Sequence, residues 1–258
     1  MLTSLAALWR YRDLVRGLVQ RDLRLRYKGS TLGFAWSLVN PLLMAAVYTV
    51  AFKYIIRIQI DRFPLFLLAG LLPWMFFSTA VLQATGSIAD NGALVRKVAF
   101  PRLTLPVGAV ASQFVQFLLM YVVIVPVALV LGSDLTPALV ALAPVAALHA
   151  VFTAGLALVA ATAYVHFRDT RHLLEVGLQL WFWVTPIVYA ASLVPPAYRP
   201  WFALNPMAHF VGAYQHVVLE QQWPGAAAFA IMAAAAGAAF AVGLAVFTRH
   251  ERRFAELI

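Results

Sequence analysis

The chain has no cysteine, and only 11% of its 258 residues are charged. The first absence excludes disulfides, thiolate metal sites and thiol catalysis, although it does not identify a compartment. The second excludes an ordinary soluble domain, in which about a quarter of residues are charged and roughly 45–50% are apolar. Here 63% are hydrophobic and the mean hydropathy is +0.84. Also missing are a G-x-x-x-x-G-K-[ST] loop, H-E-x-x-H, a paired acidic motif and G-x-S-x-G. The chain therefore has none of these means of cradling a nucleotide or activating water or serine. Its intramembrane ionisable groups are too sparse for a proton relay, so energy for uphill transport has to arrive through a partner.

What is present is a series of long uncharged runs: 29–52, 63–89, 103–133, 135–167, 176–198 and 221–248. Each exceeds the roughly 20 residues that a helix rising about 1.5 Å per residue needs to cross the hydrocarbon. Barrel strands would alternate lipid-facing and lumen-facing residues, whereas these runs are apolar on every side. The expectation is one all-α integral membrane domain, 1–258, with spans at about 33–56, 64–88, 107–131, 138–164, 173–193 and 225–247. The first run follows 28 residues that carry seven basic side chains, so no cleavable signal peptide is expected. With the N-terminus cytoplasmic, 15 of the 19 Lys and Arg fall in inside segments, which predicts that both termini are inside. The net charge of +9 is then a topology signal and calls for no nucleic-acid partner.

Residues 4–28 have an amphipathic period, with Leu8, Tyr11, Val15, Leu18 and Leu25 opposite Arg10, Asp13, Gln20, Arg24 and Lys28. Such a helix lies on the inner leaflet, and its polar face is also available to a cytoplasmic partner. Gly29 and Gly33 form a GxxxG at a membrane edge, where a turn is the expected use. Lys53 and Arg57 snorkel to the outer interface or attract an anionic substrate. After Asp90-Asn91-Gly92, residues 93–100 form a short basic helix bracketed by Pro101 and Pro106, suited to docking or, more simply, to fixing topology through Arg96, Lys97 and Arg102.

Gln113 and Gln116, one turn apart, are expected to bond between helices or line a pore, and His149 to be a packing residue. Gly132-Ser133-Asp134 is expected to form an outer turn. Asp169 is a candidate N-cap, and Arg171 and Glu175 a candidate ion pair. Pro200–Leu219 is long enough to be tested as a seventh span. Its Asn205-Pro206, His209, Gln215 and His216, and the reversal of the basic tail that a seventh span would cause, argue for a re-entrant or interfacial outer hairpin. Ala233, Gly237 and Ala241 form a small-residue stripe expected to pack tightly.

The leading helix, R-Y-K-G-S-T-L-G-F-A-W-S-L-V-N-P at 26–41, L-L-A-G-L-L-P-W-M-F-F-S at 67–78, the loop at 90–106 and W-F-W-V-T-P-I-V-Y…P-P…N-P at 181–206 occur in that order. Together they resemble the membrane subunits of ABC exporters for bacterial surface polysaccharides, most closely the O-antigen type, with teichoic acid, capsule and galactan exporters as relatives. The resemblance covers nearly the whole chain. It implies an inner-membrane homodimer of six-span subunits, paired with two copies of a cytoplasmic ATPase that holds ATP and Mg. The cargo would be an undecaprenyl-type lipid-linked polysaccharide, and this chain would bind no cofactor, metal or nucleic acid. It also implies a coupling helix at Asn91–Phe100, with Asn91, Arg96, Lys97 and Phe100 as contacts and Arg10 on the leading helix beside them. A conduit would run between spans one and five, and a periplasmic gate hairpin at about Pro195–Leu219 would include Pro195, Pro196, Trp201 and Pro206.

Aromatic faces pack on the C–H faces of sugar rings with little hydrogen-bond specificity. Trp36, Tyr48 and Phe52 on span one, with Phe182 and Tyr189 on span five, are therefore lining candidates. Interface belts or packing explain the same residues more simply. Trp181 and Trp183 differ by about 200° around a helix and cannot both face a conduit. Two rival readings are an ABC exporter of drugs or small lipids, and an intramembrane enzyme using His149, His166, His209 or His216.

Overall fold

The computed structural model describes residues 9–30, 33, 35–98, 100–130 and 136–257, and they are helical with no strand among them. The outer turn at Gly132-Ser133-Asp134 and residues 4–8 of the leading helix lie outside the described residues. Five helices are long and apolar enough to cross a bilayer: Ala35–Ile55, Phe63–Gly86, Thr104–Val130, Pro137–His166 and Ala226–Arg253.

The post of the bundle is α3 (Phe63–Gly86), whose Leu65, Leu67, Ala69, Phe77, Ala80 and Ala84 are fully enclosed. A helix apolar on every face has no solvent side and becomes the centre of the packing. Around it stand α2 (Ala35–Tyr48, continuing as a π-helical turn Thr49–Ile55), α5 (Thr104–Val130) and α6 (Leu142–His166). Pro73 inside α3 removes the helical donor to the Ala69 carbonyl, and the Tyr121 hydroxyl of α5 lies 3.5 Å from that oxygen. The leading helix α1 (Arg12–Tyr27) packs on α5, with Leu18 buried against Gly108. Gly29 and Gly33, at φ +78° and +48°, turn the chain from α1 into α2 as expected.

The most intimate pair is α6 with α10 (Ala226–His250), which run parallel: Gly155 meets Ala239 and Gly243, and His166 meets His250 at one end. The small-residue face that packs is Met232, Ala236, Ala239 and Gly243, whereas Ala233, Gly237 and Ala241 face outward. That corrects the expected stripe. In a helix alanine-rich all round, spacing alone does not fix which small face turns inward, and the partner's Gly155 decides it.

The fifth span departs most from expectation. Its helix, α7 (Thr170–Val184), ends nine residues before the predicted boundary at 193. Pro186 has no N–H and disfavours helix at the residue before it, and Thr185 is extended at φ −104°, ψ 130°. At 15 residues α7 is about 22 Å long, short of the roughly 30 Å hydrocarbon core. The change of structure therefore falls at Thr185-Pro186 and not at Pro195-Pro196. The chain continues through short turns, α8 (Arg199–Ala203) and α9 (Pro206–Gln215), then a π-helical turn His216–Glu220. Far from resting on a surface, α9 is enclosed by α3, α6 and α10, with Met207, Phe210, Val211 and Tyr214 fully buried.

Candidate functional site

The break after α7 sits against the middle of α3, where Trp181 packs on Trp74 and Phe77 at centroid distances of 6.3 and 5.3 Å. Backbone left without helical partners in an apolar environment has to be satisfied by side chains. Asn205 does this with all its bonding capacity. Its Nδ2 donates to the Val184 carbonyl (3.3 Å) and the Thr185 hydroxyl (3.0 Å). Its Oδ1 accepts from Trp181 Nε1 (2.8 Å) and caps α9 by accepting from the Met207 N–H (3.0 Å). Gln215, at the other end of α9, donates to the Pro186 carbonyl at 3.3 Å. Gly70 lets α9 approach: a methyl there would crowd the Gln215 amide and the Val211 side chain. Two amides thus clasp the broken span to α9. In the sequence they argue only against a seventh span, and the signal for their role is Pro186 in an apolar run followed by intramembrane amides.

Of the expected lining residues, the structure brings together Tyr48, Phe52 and Phe182. Tyr48 stacks on Phe182 at 6.3 Å and meets Phe52 edge-on at 6.1 Å, joining α2 to α7. Phe182 in turn meets Trp74 at 5.8 Å. Tyr189 lies beyond the break, half-buried, and donates its hydroxyl to the Trp183 carbonyl at 2.8 Å. Trp36 is apart from this cluster, half-exposed near the α1 end of α2, beside Ser37 and Asn40. Trp181 is packed inward and Trp183 is exposed, the opposed placement that helical spacing predicts.

The gate candidates also separate. Pro195, Pro196 and Trp201 are exposed, while Pro206 is the first residue of α9, where a missing N–H costs nothing. Arg199 ties the turn before α8 together by donating to the Val194 and Ser192 carbonyls.

At the α1 end, the short basic helix is α4 (Gly92–Lys97), with Val98 already extended, so it is shorter than 93–100 suggested. Arg96 and Lys97 are exposed, Val95 is buried, and Asn91 donates to the Ser87 carbonyl at 2.8 Å. Beneath it a second apolar cluster joins Ile88, Val95 and Leu103 to Leu18 of α1, Phe247 of α10 and Phe254 of α11 (Phe254–Leu257), with Phe100 packed against it. Arg102 also donates to the Glu251 carbonyl. The basic helix therefore shares one apolar cluster with α1 and the C-terminal turn. Arg10 is exposed on the helical residues that precede Tyr11 and α1, outside that cluster.

Gln113 and Gln116 bond between helices: Gln113 to Gln83 of α3, Gln116 to Ser37 of α2 at 3.0 Å, and Arg26 of α1 to Gln116. Asp22 joins this network through Gln83 and Ser112, at 3.3 and 3.4 Å. The interhelical expectation for the two glutamines holds, and Arg26 and Asp22 are members that sequence reading passed over. Asp169 stands at the N-cap of α7 without a side-chain cap bond, and Arg171 pairs with Glu175 at 3.5 Å. The histidines serve separate local roles. His149 stacks on Phe210 at 4.9 Å, His166 meets the Thr162 carbonyl, His209 the Ala203 carbonyl, and His216 pairs with Glu220. No group of three metal-ligating side chains occurs among the described residues.

The chain matches the ABC-2 type transporter family over residues 13–219. It is 34% identical to the O-antigen export system permease protein RfbA of Myxococcus xanthus, over 100% of both chains. It is 32% identical to the protein of that name from Klebsiella pneumoniae, over 95% of each. It is 22% identical to the polysialic acid transport protein KpsM of Escherichia coli, over 80% of this chain and 81% of that one. With the family match running from α1 through α9 and full-length likeness to export permeases, the chain belongs to the ABC-2 type transporter family as a membrane permease.

Proposed function

We propose that this chain is the permease subunit of an exporter that moves a lipid-linked polysaccharide, O-antigen in the first instance, across the bacterial inner membrane. Two copies pair with two copies of a cytoplasmic ATPase, which binds ATP and Mg. Both termini are cytoplasmic, and the α4 end faces the ATPase. In each copy α7 and the bends and turns that follow it make a sixth crossing. The α8–α9 hairpin re-enters from the periplasmic side, and its outer turn, with Pro195, Pro196 and Trp201, gates the exit. The conduit runs along α2 and α7.

The observation that carries this reading is the stacked Tyr48–Phe182 pair beside a clasped, interrupted span. It presents aromatic faces and satisfied backbone to a passing sugar chain and offers few sites that would hold it. The full-length likeness to O-antigen export permeases supports the same cargo.

The test is surface glycan display in a cell whose own permease is deleted and replaced by this chain with its ATPase and the matching glycan. Tyr48→Ala and Phe182→Ala should each reduce display several-fold while the permease–ATPase complex still purifies intact. Display at the wild-type level in both would remove the aromatic conduit. ATPase stimulation by drugs in place of glycolipid would favour the small-lipid or drug exporter instead.

A further inference from the structure

At the α1 end of the molecule two histidines on different helices stand side by side. His166 is the last residue of α6 and His250 the last of α10, and their ring centres are 5.3 Å apart with the planes at 88°. Their meeting follows from the crossing of these two helices. Gly155 of α6 meets the Ala239 backbone of α10, and His166 and His250 lie eleven residues beyond those two positions. Eleven residues are about three helical turns, so each histidine leaves the face of its helix that makes the crossing. Between the crossing and the pair, Leu158, Ala161, Val165, Leu244 and Phe247 are buried in one cluster, which holds the two helix ends together.

The hydrogen bonding prepares both rings for a metal. His166 Nδ1 lies 2.9 Å from the Thr162 carbonyl and His250 Nδ1 2.8 Å from the Val246 carbonyl, each one turn back on its own helix. A carbonyl only accepts, so each Nδ1 carries a proton and each neutral ring keeps its lone pair on Nε2. An N–H given to a backbone carbonyl is the usual outer support of a metal-bound histidine, fixing its tautomer and ring orientation. Neither Nε2 has a hydrogen bond to a described residue. The spacing also fits. With an imidazole nitrogen about 2.1 Å from a zinc ion and the ring centre about 1.2 Å behind it, two rings at a tetrahedral angle have centres about 5.3 Å apart. Nothing in a tetrahedral site fixes the angle between ring planes, so the perpendicular arrangement is compatible with chelation. His166 is exposed and His250 half-buried, which leaves the pair open to an ion from solvent. Arg168 is drawn over the Tyr164 ring at 5.2 Å and Arg249 is exposed, and neither bonds either histidine.

We propose that His166 and His250 together bind a divalent transition-metal ion, such as Zn²⁺, through their two Nε2 atoms, with water in the remaining positions. Imidazole selects Zn, Ni and Cu over Mg and Ca, which prefer oxygen donors. The ion pins the end of α6 to the end of α10, beside Glu251, whose carbonyl receives Arg102. The family resemblance implies a chain that binds no metal, so the site is an addition to it and does not depend on the export reading.

The experiment takes the full-length permease, purified in detergent without a polyhistidine tag and stripped of metal, and adds ZnCl₂, CuCl₂ or MgCl₂. ZnCl₂ should raise the thermal midpoint, since an ion that binds the folded chain stabilises it, whereas MgCl₂ at the same concentration should not. With one equivalent of CuCl₂, electron paramagnetic resonance should show hyperfine coupling to two imidazole nitrogens. His166→Phe and His250→Phe keep a ring in the contact but remove its ligand atom. Each should weaken Zn²⁺ binding about tenfold or more by calorimetry and leave at most one nitrogen coupled to copper. His172→Ala and His216→Ala, which remove the local pairs with Glu175 and Glu220, should leave binding intact. Metal-free thermal midpoints and a monodisperse profile establish that the variants are folded, and a variant that fails this is replaced by its glutamine counterpart. Unchanged Zn²⁺ affinity in both phenylalanine variants would reduce the pair to an aromatic contact and overturn the proposal. Loss of binding in His172→Ala or His216→Ala would assign the ion to an ordinary surface pair and overturn it equally, as would a wild-type chain that binds no Zn²⁺.

Discussion

Asn205 and Gln215 carry more of the architecture than their two side chains suggest. Between them they bond the Val184 and Pro186 carbonyls, the Thr185 hydroxyl, Trp181 and the first turn of α9. Replacing either by leucine leaves at least one carbonyl unpaired where water is scarce, a loss of about 1–3 kcal/mol per site. The expected outcome is a lowered thermal midpoint of the purified protein in detergent for Asn205→Leu and Gln215→Leu. Asn205→Asp should be affected too, because it keeps the acceptor that Trp181 and Met207 use but loses the donor to Val184. Unchanged midpoints in all three would show that the break is held by packing alone. In the sequence these residues were visible as polar intrusions in an apolar run. Their partners were not visible, because the carbonyls they bond are left free where α7 ends before Pro186, far from either amide in the sequence.

Among the elements, those with strong one-dimensional signals were predicted closely and those set by a neighbour were not. The α3 helix is apolar on every side and its bounds fall within two residues of the expected 64–88. For α7 the aromatic run looked continuous to 193, and only the tertiary clasp shows that the chain can leave the helix at Thr185 without stranding its backbone. For α10 the composition promised close packing but not its face, since alanine occurs on all of them. The contact that decides is Gly155 against Ala239 and Gly243, where a methyl would collide with backbone. Backbone cannot retract as a flexible side chain does, so Gly155→Val should destabilise by about 3 kcal/mol or more. By contrast Gly237, with open space around it, should accept alanine with a gain of about 0.5–1 kcal/mol. Thermal midpoints moving in opposite directions for the two variants would bear this out, and a neutral Gly155→Val would refute the packing.

At the scale of the whole molecule, the fold divides into a tightly joined body, α3, α5, α6, α9 and α10, and two lightly held helices, α2 and α7, whose outer faces are largely exposed. The basic helix α4 shares an apolar cluster through Val95 with Leu18 of α1, Phe247 of α10 and Phe254 of the C-terminal turn. Charge reversal of Arg96 and Lys97 to Glu should abolish glycolipid-stimulated ATP hydrolysis by the complex without preventing membrane insertion. Undiminished stimulation would remove α4 from the coupling role. The broken crossing has a further consequence for the shape of the passage. Where α7 ends at Thr185, the wall of the proposed conduit passes from a regular helix to buried bends and short turns held by Asn205 and Gln215, so the surface met by a glycan that has passed the Tyr48–Phe182 pair is shaped by that clasp and not by helical periodicity.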